Sequence, residues 1–289
     1  MNYTQLLTAP IFKSAILGLC TVGLLSACGG TVKEWDTAQN FPVGSIQAIN
    51  TEIKAGSFTI HGTEEAEIKV NTHFKLNSKR KSELAESIQL EAIPAANTLG
   101  LRLSLPALQQ DENLTSDVEL YLPANVNLSL TNSDGNITLE NVQGAVTVTG
   151  VNGNVQDTQH LGDLKVDVQN GNINLSDVSG NQHQLKTQNG TIDLDQVTGA
   201  VDAYSANGNI TAKLQGVDRP EDYRFATVNG NITLRLPSDS SARVRYKKGV
   251  GNVNTDFKHL SDQSRIDIGS GAARIHMEST NGNIEVLTQ

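Results

Sequence analysis

The sequence contains little cysteine, aromatic residue or proline, and each scarcity excludes a class of protein. Its 289 residues include two Cys, one Trp, five Tyr, six Phe and seven Pro, and the formal net charge is −9. Two Cys cannot form a disulfide-rich scaffold or a cysteine-based zinc cluster. An acidic chain with few aromatic side chains is a poor nucleic-acid binder, because phosphate neutralisation and base stacking require the opposite composition. Glycine, in contrast, is abundant, with 25 residues.

The amino terminus has the pattern of a bacterial lipoprotein signal. Lys13 is followed by an uncharged run, Ser14–Ala27. Such a run is long enough for a signal peptide and too short to span a bilayer, which takes about 20 residues. It ends in Leu25-Ser26-Ala27-Cys28, which resembles the lipobox of bacterial lipoproteins. The resemblance implies that residues 1–27 are a signal peptide and that Cys28 carries acyl chains that anchor the protein in a membrane.

The residues after Cys28 carry two further expectations. Gly29 stands where lipoproteins of the inner membrane typically have Asp, so the same resemblance implies the outer membrane, on its periplasmic or its surface-facing side. Residues 28–44 show no hydrophobic periodicity. The segment therefore predicts a lipid-anchored tether.

A repeated phrase fills the second half of the sequence. Short β-prone runs follow corner residues at Asp134-Gly135, Asn152-Gly153, Asn170-Gly171, Asn189-Gly190, Asn207-Gly208, Asn229-Gly230, Gly251 and Asn281-Gly282. The spacings from one corner glycine to the next are 18, 18, 19, 18, 22, 21 and 31 residues. A period near 18 is typical of a repeat architecture. Apolar and polar residues alternate within each unit, which predicts two short strands with one buried face each. Glycine would supply positive φ at the corners.

Two all-β folds fit this repeat. The first is a single-stranded parallel β-helix, a β-solenoid of ~18-residue coils, in which equivalent residues stack ~4.8 Å apart. The second is an antiparallel β meander or sandwich, since Asn-Gly is also a strong hairpin signal. In a meander, equivalent residues would lie two strands apart and would have no reason to match. The matched column of Ile137, Val155, Ile173, Ile192, Ile210, Ile232 and Ile284 therefore favours the solenoid.

The first part of the domain shows a looser form of the same pattern. Residues 45–130 contain several alternating runs and predict irregular amino-terminal coils, whereas residues 131–289 contain the regular repeats. Lys81–Ser87 is compatible with a short helix. No Pro/Gly-rich linker separates the two parts, so we expect a single elongated domain over residues 45–289.

The order of these motifs resembles a known family. Ala55-Gly56-Ser57-Phe58-Thr59-Ile60, then Val118–Pro123, then Asn132–Ile137 and the following Asn-Gly repeats are similar to the bacterial "putative adhesin" β-strand-repeat family. That resemblance implies a β-helix in the cell envelope. It implies no catalytic residues, because the family has no agreed activity.

Residues that could carry chemistry are few. The histidines lack metal-binding spacing, and His183 is expected to face inward and to be satisfied by a neighbouring coil. Asp157 aligns with the inward residues Leu139, Leu175 and Leu194. An unpaired inward carboxylate is costly. Three readings stay open for Asp157: a bulge turns it outward, it makes a satisfied polar contact at the core edge, or it belongs to a ligand or cation site.

Two basic clusters stand out on the acidic chain. One spans Lys75–Lys81, and the other contains Arg243, Arg245, Lys247 and Lys248. Charge runs of this kind are usually solvated surface. The alternative is contact with anionic lipid headgroups or an acidic glycan, with Arg243, Arg245 and Lys247 as ligand contacts.

The sequence as a whole favours a non-enzymatic, lipid-anchored β-solenoid that binds, adheres to or scaffolds an envelope protein or glycan. No metal, no other cofactor and no nucleic acid is expected. One alternative is a β-helix polysaccharide-active enzyme, for which Tyr204 and Tyr223 are the available sugar platforms. Another is an envelope-stress signalling component whose repeats dock a membrane partner.

Overall fold

The computed structural model describes residues 32–104, 107–257 and 264–289. The predicted signal peptide and Cys28 lie outside the described residues. Among the described residues, no helix is long and apolar enough to cross a membrane. The single helix found there, α1 (Lys81–Ser87), is the short helix that the sequence predicts.

The rest of the described chain is dominated by β-strands. They are β1 (Val32–Pro42), β2 (Ala48–Ile53), β3 (Phe58–Thr63), β4 (Glu67–Asn77), β5 (Gln89–Ala95), β6 (Thr98–Ser104), β7 (Asn113–Pro123), β8 (Asn127–Asp134), β9 (Ile137–Glu140), β10 (Val146–Asn152), β11 (Val155–Leu161), β12 (Leu164–Asn170), β13 (Ile173–Asn189), β14 (Ile192–Asn207), β15 (Ile210–Leu214), β16 (Asp222–Asn229), β17 (Ile232–Leu236), β18 (Ala242–Val250), β19 (Val253–Thr255), β20 (Arg265–Ile268), β21 (Ala273–Asn281) and β22 (Ile284–Thr288).

The protein is a parallel β-solenoid, which confirms the fold class. Each middle coil contributes one strand segment to layer A and the next to layer B. Layer A contains β8, β10, β12, the second halves of β13 and β14, β16, β21 and β18. Layer B contains β9, β11, the first halves of β13 and β14, β15, β17, β22 and β19. All these neighbours are parallel, so the meander is wrong.

The core lies between the two layers and runs through the stack. The column from Ile137 to Ile284 is in register from coil to coil, and none of its members exposes more than 2% of its surface. Side chains alternate across a strand, so every second residue of a coil adds to this column or to its neighbours. Burial of these stacked Ile, Val and Leu side chains is the main stabilising contribution, at about 25 cal/mol per Å² of apolar surface.

Close stacking explains the corner glycines better than backbone conformation does. Gly153 has φ of 138°, as predicted, but Gly171 is not in the positive-φ region. A Cβ on Gly171 would lie 1.9 Å from the carbonyl oxygen of Gly153 in the preceding coil. The next corner repeats the contact, because a Cβ on Gly190 would lie 2.0 Å from the oxygen of Gly171. Glycine is required there because no side-chain atom fits between the coils.

Asparagines at the same corner form two ladders. The residue before each glycine donates its side-chain amide to its counterpart in the preceding coil, as Asn170 does to Asn152 at 2.9 Å. The residue after the glycine accepts a backbone N–H instead, as Asn154 Oδ1 does from Asn172 at 2.9 Å. The ladder of side-chain amides thus lies two positions earlier in the sequence than the row of Asn residues that follow the glycines. The first ladder ends on Asp134, whose carboxylate accepts the hydrogen bond from the side-chain amide of Asn152 and has no donor of its own to satisfy.

The predicted tether is wrong over residues 32–42. These residues form β1, which pairs antiparallel with β4 along its full length. The tether prediction rested on the missing hydrophobic periodicity, and β1 needs none because both its faces stay partly exposed at the edge of the sheet. Trp35 anchors the strand by stacking on Phe74 with ring centroids 5.0 Å apart.

Both ends of the solenoid depart from sequential stacking. At the amino-terminal end, the first coil (β2 and β3) lies between β8 and β9 on one side and β6 and β7 on the other. At the carboxyl-terminal end, the last coil (β21 and β22) lies between β16 and β17 on one side and β18 and β19 on the other. The first and last coils of the chain are therefore interior layers of the stack.

Candidate functional site

The outer side of layer A carries a row of exposed side chains in register. Eight neighbouring strands contribute, in order, Ser129, Thr147, Lys165, Gln184, Asp202, Arg224, His276 and Arg245. Strands of a sheet lie about 4.8 Å apart, so the row is about 34 Å long. Its first half is mostly uncharged, and its last part is rich in arginine. The charge of this surface therefore concentrates at the carboxyl-terminal end of the stack.

At that end the outer side of layer A forms a depression of about 490 Å³, which we call the arginine groove. Four guanidinium groups line it, those of Arg224, Arg243, Arg245 and Arg274, together with His276 and two carboxylates, Asp202 and Asp222. A second row of paired positions, Asp222, Arg274, Arg243 and Asp267, runs beside the first. The two rows place arginines on three adjacent strands, β16, β21 and β18.

Carboxylates at both sides of the groove hold these arginines. Arg274 donates through Nε and Nη2 to the two oxygens of Asp222, at 2.5 and 2.8 Å. Arg243 Nε donates to Asp267 at 3.2 Å. Arg224 lies 3.5 Å from Asp202, whereas Arg245 has no carboxylate partner among the described residues. The groove thus combines fixed arginines with one that has all its donors available.

The same contacts shift the pKa values of the acids. The hydrogen bonds from Arg274 lower the pKa of Asp222 below its ordinary value. Partial burial of Asp267 acts to raise its pKa, but the hydrogen bonds from Arg265 and Arg243 outweigh that effect and lower it. Both groups are therefore ionised at neutral pH. Neither is suited to donate a proton as a general acid, which requires a raised pKa.

Two of the predicted ligand contacts, Arg243 and Arg245, lie in the groove. Lys247 stands two residues further along β18, outside the groove lining, and its ammonium contacts Glu278 at 2.7 Å. Sequence reasoning missed Arg224 and Arg274. The first could have been found from the repeat, since it is in register with Asp202 of the preceding coil. The second could not, because β21 enters the stack out of sequence order.

Asp157 faces inward, and the proposed bulge that would turn it outward is absent. Its side chain is completely buried and pairs in register with Leu139 and Leu175. A bulge does occur two residues later, at Gln159, which has φ of 59°. Equivalent positive-φ residues recur at Asn141, Asp177 and Gln196. The bulge shifts the alternation by one residue, and His160 therefore also points into the core.

Asp157 and His160 form a sealed polar pair within the core. Asp157 Oδ2 lies 2.9 Å from His160 Nδ1, and both side chains have no exposed surface. The angles at this contact do not satisfy a hydrogen bond. Neighbouring coils have apolar residues at the same two positions, such as Leu175 and Val178. A sealed pair of this kind offers no path for a substrate.

His183 lies in the same part of the core. It is in register with Leu164 and Val201, and its Nε2 donates to the carbonyl oxygen of Thr198 at 3.0 Å. Burial lowers the pKa of His183 below its ordinary value. The inward orientation is confirmed, and the predicted contact with a neighbouring coil is confirmed for Nε2 only, because the buried Nδ1 has no hydrogen-bond partner among the described residues. The described residues contain no group of three or more side chains arranged to hold a metal ion.

Two members of the amino-terminal basic cluster are paired with acidic residues. Lys75 contacts Glu34 at 2.9 Å, and Arg80 contacts Glu112 at 2.6 Å. The hydrogen bonds from Arg80, with others from Ser78 and the backbone of Gln109, lower the pKa of Glu112 to about 2. Tyr223, considered above as a sugar platform, is buried with 3% exposure, so that assignment is wrong. The arginine groove is the stronger candidate site.

The repeat, the paired layers and the residue range identify a family. Residues 46–287 match the family Toastrack DUF4097. The chain belongs to this family. The Toastrack DUF4097 domain is β-solenoid-like, in agreement with the fold described above. A comparison with curated proteins found no relative.

Solved structures of three Parabacteroides proteins are similar to this chain, with TM-scores below 0.5. A "putative adhesin" from Parabacteroides distasonis is 10% identical, with a TM-score of 0.49, over 89% of this chain and 98% of that one. A "putative adhesin" from Parabacteroides merdae is 11% identical, with a TM-score of 0.49, over 89% and 97%. A "putative lipid binding protein" from Parabacteroides distasonis is 12% identical, with a TM-score of 0.41, over 88% and 96%. The function of this Toastrack chain is therefore argued from its own residues.

Proposed function

We propose that this protein is a lipid-anchored binding module of the bacterial cell envelope. It contacts another envelope component, a glycan or a protein, through the outer side of layer A and catalyses no reaction. The observation that carries the proposal is the exposed row from Ser129 to Arg245, about 34 Å long on a rigid stack of strands. Extended surfaces of solenoid proteins suit recognition, because each coil adds contacts at a fixed spacing.

The burial and the ionisation of the acidic side chains support the proposal that the protein catalyses no reaction. Asp157 and His160 are sealed in the core, where no substrate can touch them. Within the arginine groove, the hydrogen bonds from Arg274 lower the pKa of Asp222 and hold that carboxylate ionised. A polysaccharide-cleaving enzyme would instead need a protonated acid beside an accessible cleft.

The anchor belongs to the proposal through Cys28. Acyl chains on Cys28 would hold the protein in the outer membrane, in agreement with Gly29 at the following position. Because β1 begins at Val32, four residue steps separate the anchor from the folded domain. An extended chain spans at most about 3.6 Å per residue, so β1 would start within about 14 Å of the lipidated cysteine.

Fractionation tests the anchor. Cys28→Ser should leave an unlipidated protein that no longer partitions into detergent or membrane, whereas the wild type does. A Cys28→Ser variant that partitions like the wild type would show that the anchoring assignment is wrong.

Crosslinking in intact cells, followed by capture of the protein, tests the binding surface. Changing Lys165 and Arg224 together to Glu should reduce the crosslinked envelope component severalfold, because it reverses two charges of the exposed row. Arg235→Glu is the control, since Arg235 is also exposed but lies on layer B. Equal capture by all three proteins would contradict the assignment of layer A as the binding surface.

A further inference from the structure

We propose that the arginine groove binds a phosphomonoester group. This inference rests on the proposed function, because it names the ligand chemistry of one end of the same surface. The groove gathers Arg224, Arg243, Arg245 and Arg274 within a depression of about 490 Å³, on a chain whose formal net charge is −9. A local concentration of positive charge in a concavity focuses the field and attracts anions.

The strand register fixes how far apart these arginines are. Arg243 and Arg274 are direct neighbours across β18 and β21, so their Cα atoms lie about 4.8 Å apart. Arg245 follows Arg243 by two residues on the same side of β18, about 6.6 Å along the strand. His276 is the direct neighbour of Arg245 on β21. Three guanidinium groups and an imidazole therefore project from a patch roughly 5 Å by 7 Å at its base.

These arginines have donors left over after their internal contacts. A guanidinium group carries five N–H donors. Asp222 engages Nε and Nη2 of Arg274, and Asp267 engages only Nε of Arg243. Arg245 has no carboxylate partner among the described residues. The two aspartates orient the neighbouring guanidinium groups without satisfying them, which lowers the entropy cost of holding a ligand.

The arrangement of donors favours a tetrahedral anion over a carboxylate. A carboxylate has two oxygens in one plane and is satisfied by a single arginine fork, as Asp222 is by Arg274. A phosphomonoester presents three terminal oxygens in different directions and carries more than one negative charge at neutral pH. It can therefore accept from Arg243, Arg245 and Arg274 at the same time. Arginine suits this task better than lysine because its fork matches phosphate geometry.

Calorimetric titration of the full chain tests the proposal. The probes are inorganic phosphate, glucose 1-phosphate and, as an uncharged control, glucose. A parallel sedimentation arm compares vesicles of phosphatidylcholine with and without phosphatidic acid, whose headgroup is a phosphomonoester. Arg245→Gln removes the arginine without a carboxylate partner and should weaken binding of glucose 1-phosphate at least tenfold, since charge-assisted hydrogen bonds are lost.

Arg235→Gln is the matched control, because it removes another exposed arginine, one that lies on layer B, and changes the net charge equally. Both variants should keep the melting temperature of the wild type, since each residue is exposed. Saturable binding that Arg245→Gln weakens and Arg235→Gln does not supports the proposal. Binding to the soluble phosphate probes would show that a free phosphate ester is sufficient. Binding only to the vesicles that contain phosphatidic acid would identify a lipid headgroup as the source.

Three results would overturn the proposal: no binding of any phosphate probe, equal weakening by the two variants, or equal binding of glucose and glucose 1-phosphate. None of these results would decide the proposed function. That function is tested separately, by crosslinked capture with the variant that changes Lys165 and Arg224 in the exposed row of layer A. Equal capture by all three proteins in the crosslinking experiment, together with intact phosphate binding, would leave the groove as a phosphate site and refute the wider surface.

Discussion

The middle and the two ends of this solenoid are built from the same kind of coil but in different order. In the middle, from β8 to β17, each coil stacks on the coil that precedes it in sequence. At each end, the coil nearest the chain terminus is inserted between the regular stack and a cap that comes from further inside the sequence. The middle therefore uses local contacts, whereas the ends use contacts between distant residues.

The difference gives the ends a protective function. Strand termini and sheet edges are where chains fray or pair with other molecules. In this protein the first and last coils have a partner on both sides, so neither of these two coils is an edge of the stack. Among the described residues, the outermost strands are β20 on β18 and β19 on β22 at one end, and β1 on β4 and β5 on β6 at the other.

Removing one coil from each region should give the largest contrast. Truncation before Ala273 deletes β21 and β22 and leaves the backbone edges of β16 and β18 unpaired. We expect the carboxyl-terminal end to unfold and the protein to aggregate. Deletion of Gly153–Asn170 removes one interior coil, and the flanking corners rejoin in phase, so the fold should survive. Circular dichroism and hydrogen exchange would measure both; equal damage would break the comparison between the regions.

The second largest effect is expected from a charged residue placed in the buried column of the middle coils. Ile173 is completely buried between Val155 and Ile192. Ile173→Asp places an unpaired carboxylate among apolar side chains and should destabilise the protein by more than about 4 kcal/mol. Thr138→Ala, on the outer side of β9, should cost within about 0.5 kcal/mol. Chemical denaturation would show the difference, and similar midpoints would contradict the inward and outward assignments.

A methyl group at a corner tests the close stacking of the middle coils. Gly171→Ala puts a Cβ 1.9 Å from a backbone oxygen and should cost about 2–4 kcal/mol, in the range of core overpacking or more. Gly100→Ala, in β6 of the amino-terminal cap, meets its nearest atom at 3.4 Å and should cost less than about 1 kcal/mol. The comparison is read from the free energies of unfolding. A mild Gly171→Ala would mean that adjacent coils can separate.

The smallest expected difference between the middle coils and the amino-terminal cap is in how their stability changes as pH falls. Burial places the pKa of His183 below its ordinary 6.5, so the unfolded chain binds the proton first. The contribution of this neutral histidine is full above pH 6.5 and is lost as pH falls towards the lowered pKa, at no more than about 1.4 kcal/mol per pH unit. His183→Leu should flatten this slope, since Leu164 fills the same position in the preceding coil.

The amino-terminal cap should respond only at lower pH. Glu112, paired with Arg80, has its pKa lowered from 4.5 to about 2. Its contribution is present above pH 4.5 and is lost as pH falls towards 2. Glu112→Gln should therefore leave the slope between pH 5 and 7 unchanged. A change of slope in that range on mutating Glu112, and none on mutating His183, would reverse the assignment.

The candidate site was only half predictable. Arg243 and Arg245 are close in sequence and alternate on one strand, so their common orientation follows from the strand period alone. Arg274 joins them because β21 inserts beside β18, a pairing that no local pattern indicates. Similarly, the inward position of Asp157 follows from its column, but the approach of His160 depends on the bulge at Gln159. Bulges and insertions break the simple alternation on which sequence reasoning depends.

By itself, the sequence determined the period of the coil, the glycine corners and the inward column from Ile137 to Ile284. These follow from local alternation and from the requirement that stacked coils have equal perimeters. Only the tertiary structure decided the position of the first and last coils, the strand formed by residues 32–42 and the assembly of the arginine groove. The physical reason is that every coil offers the same backbone edge, so the repeat cannot specify which coil is the neighbour.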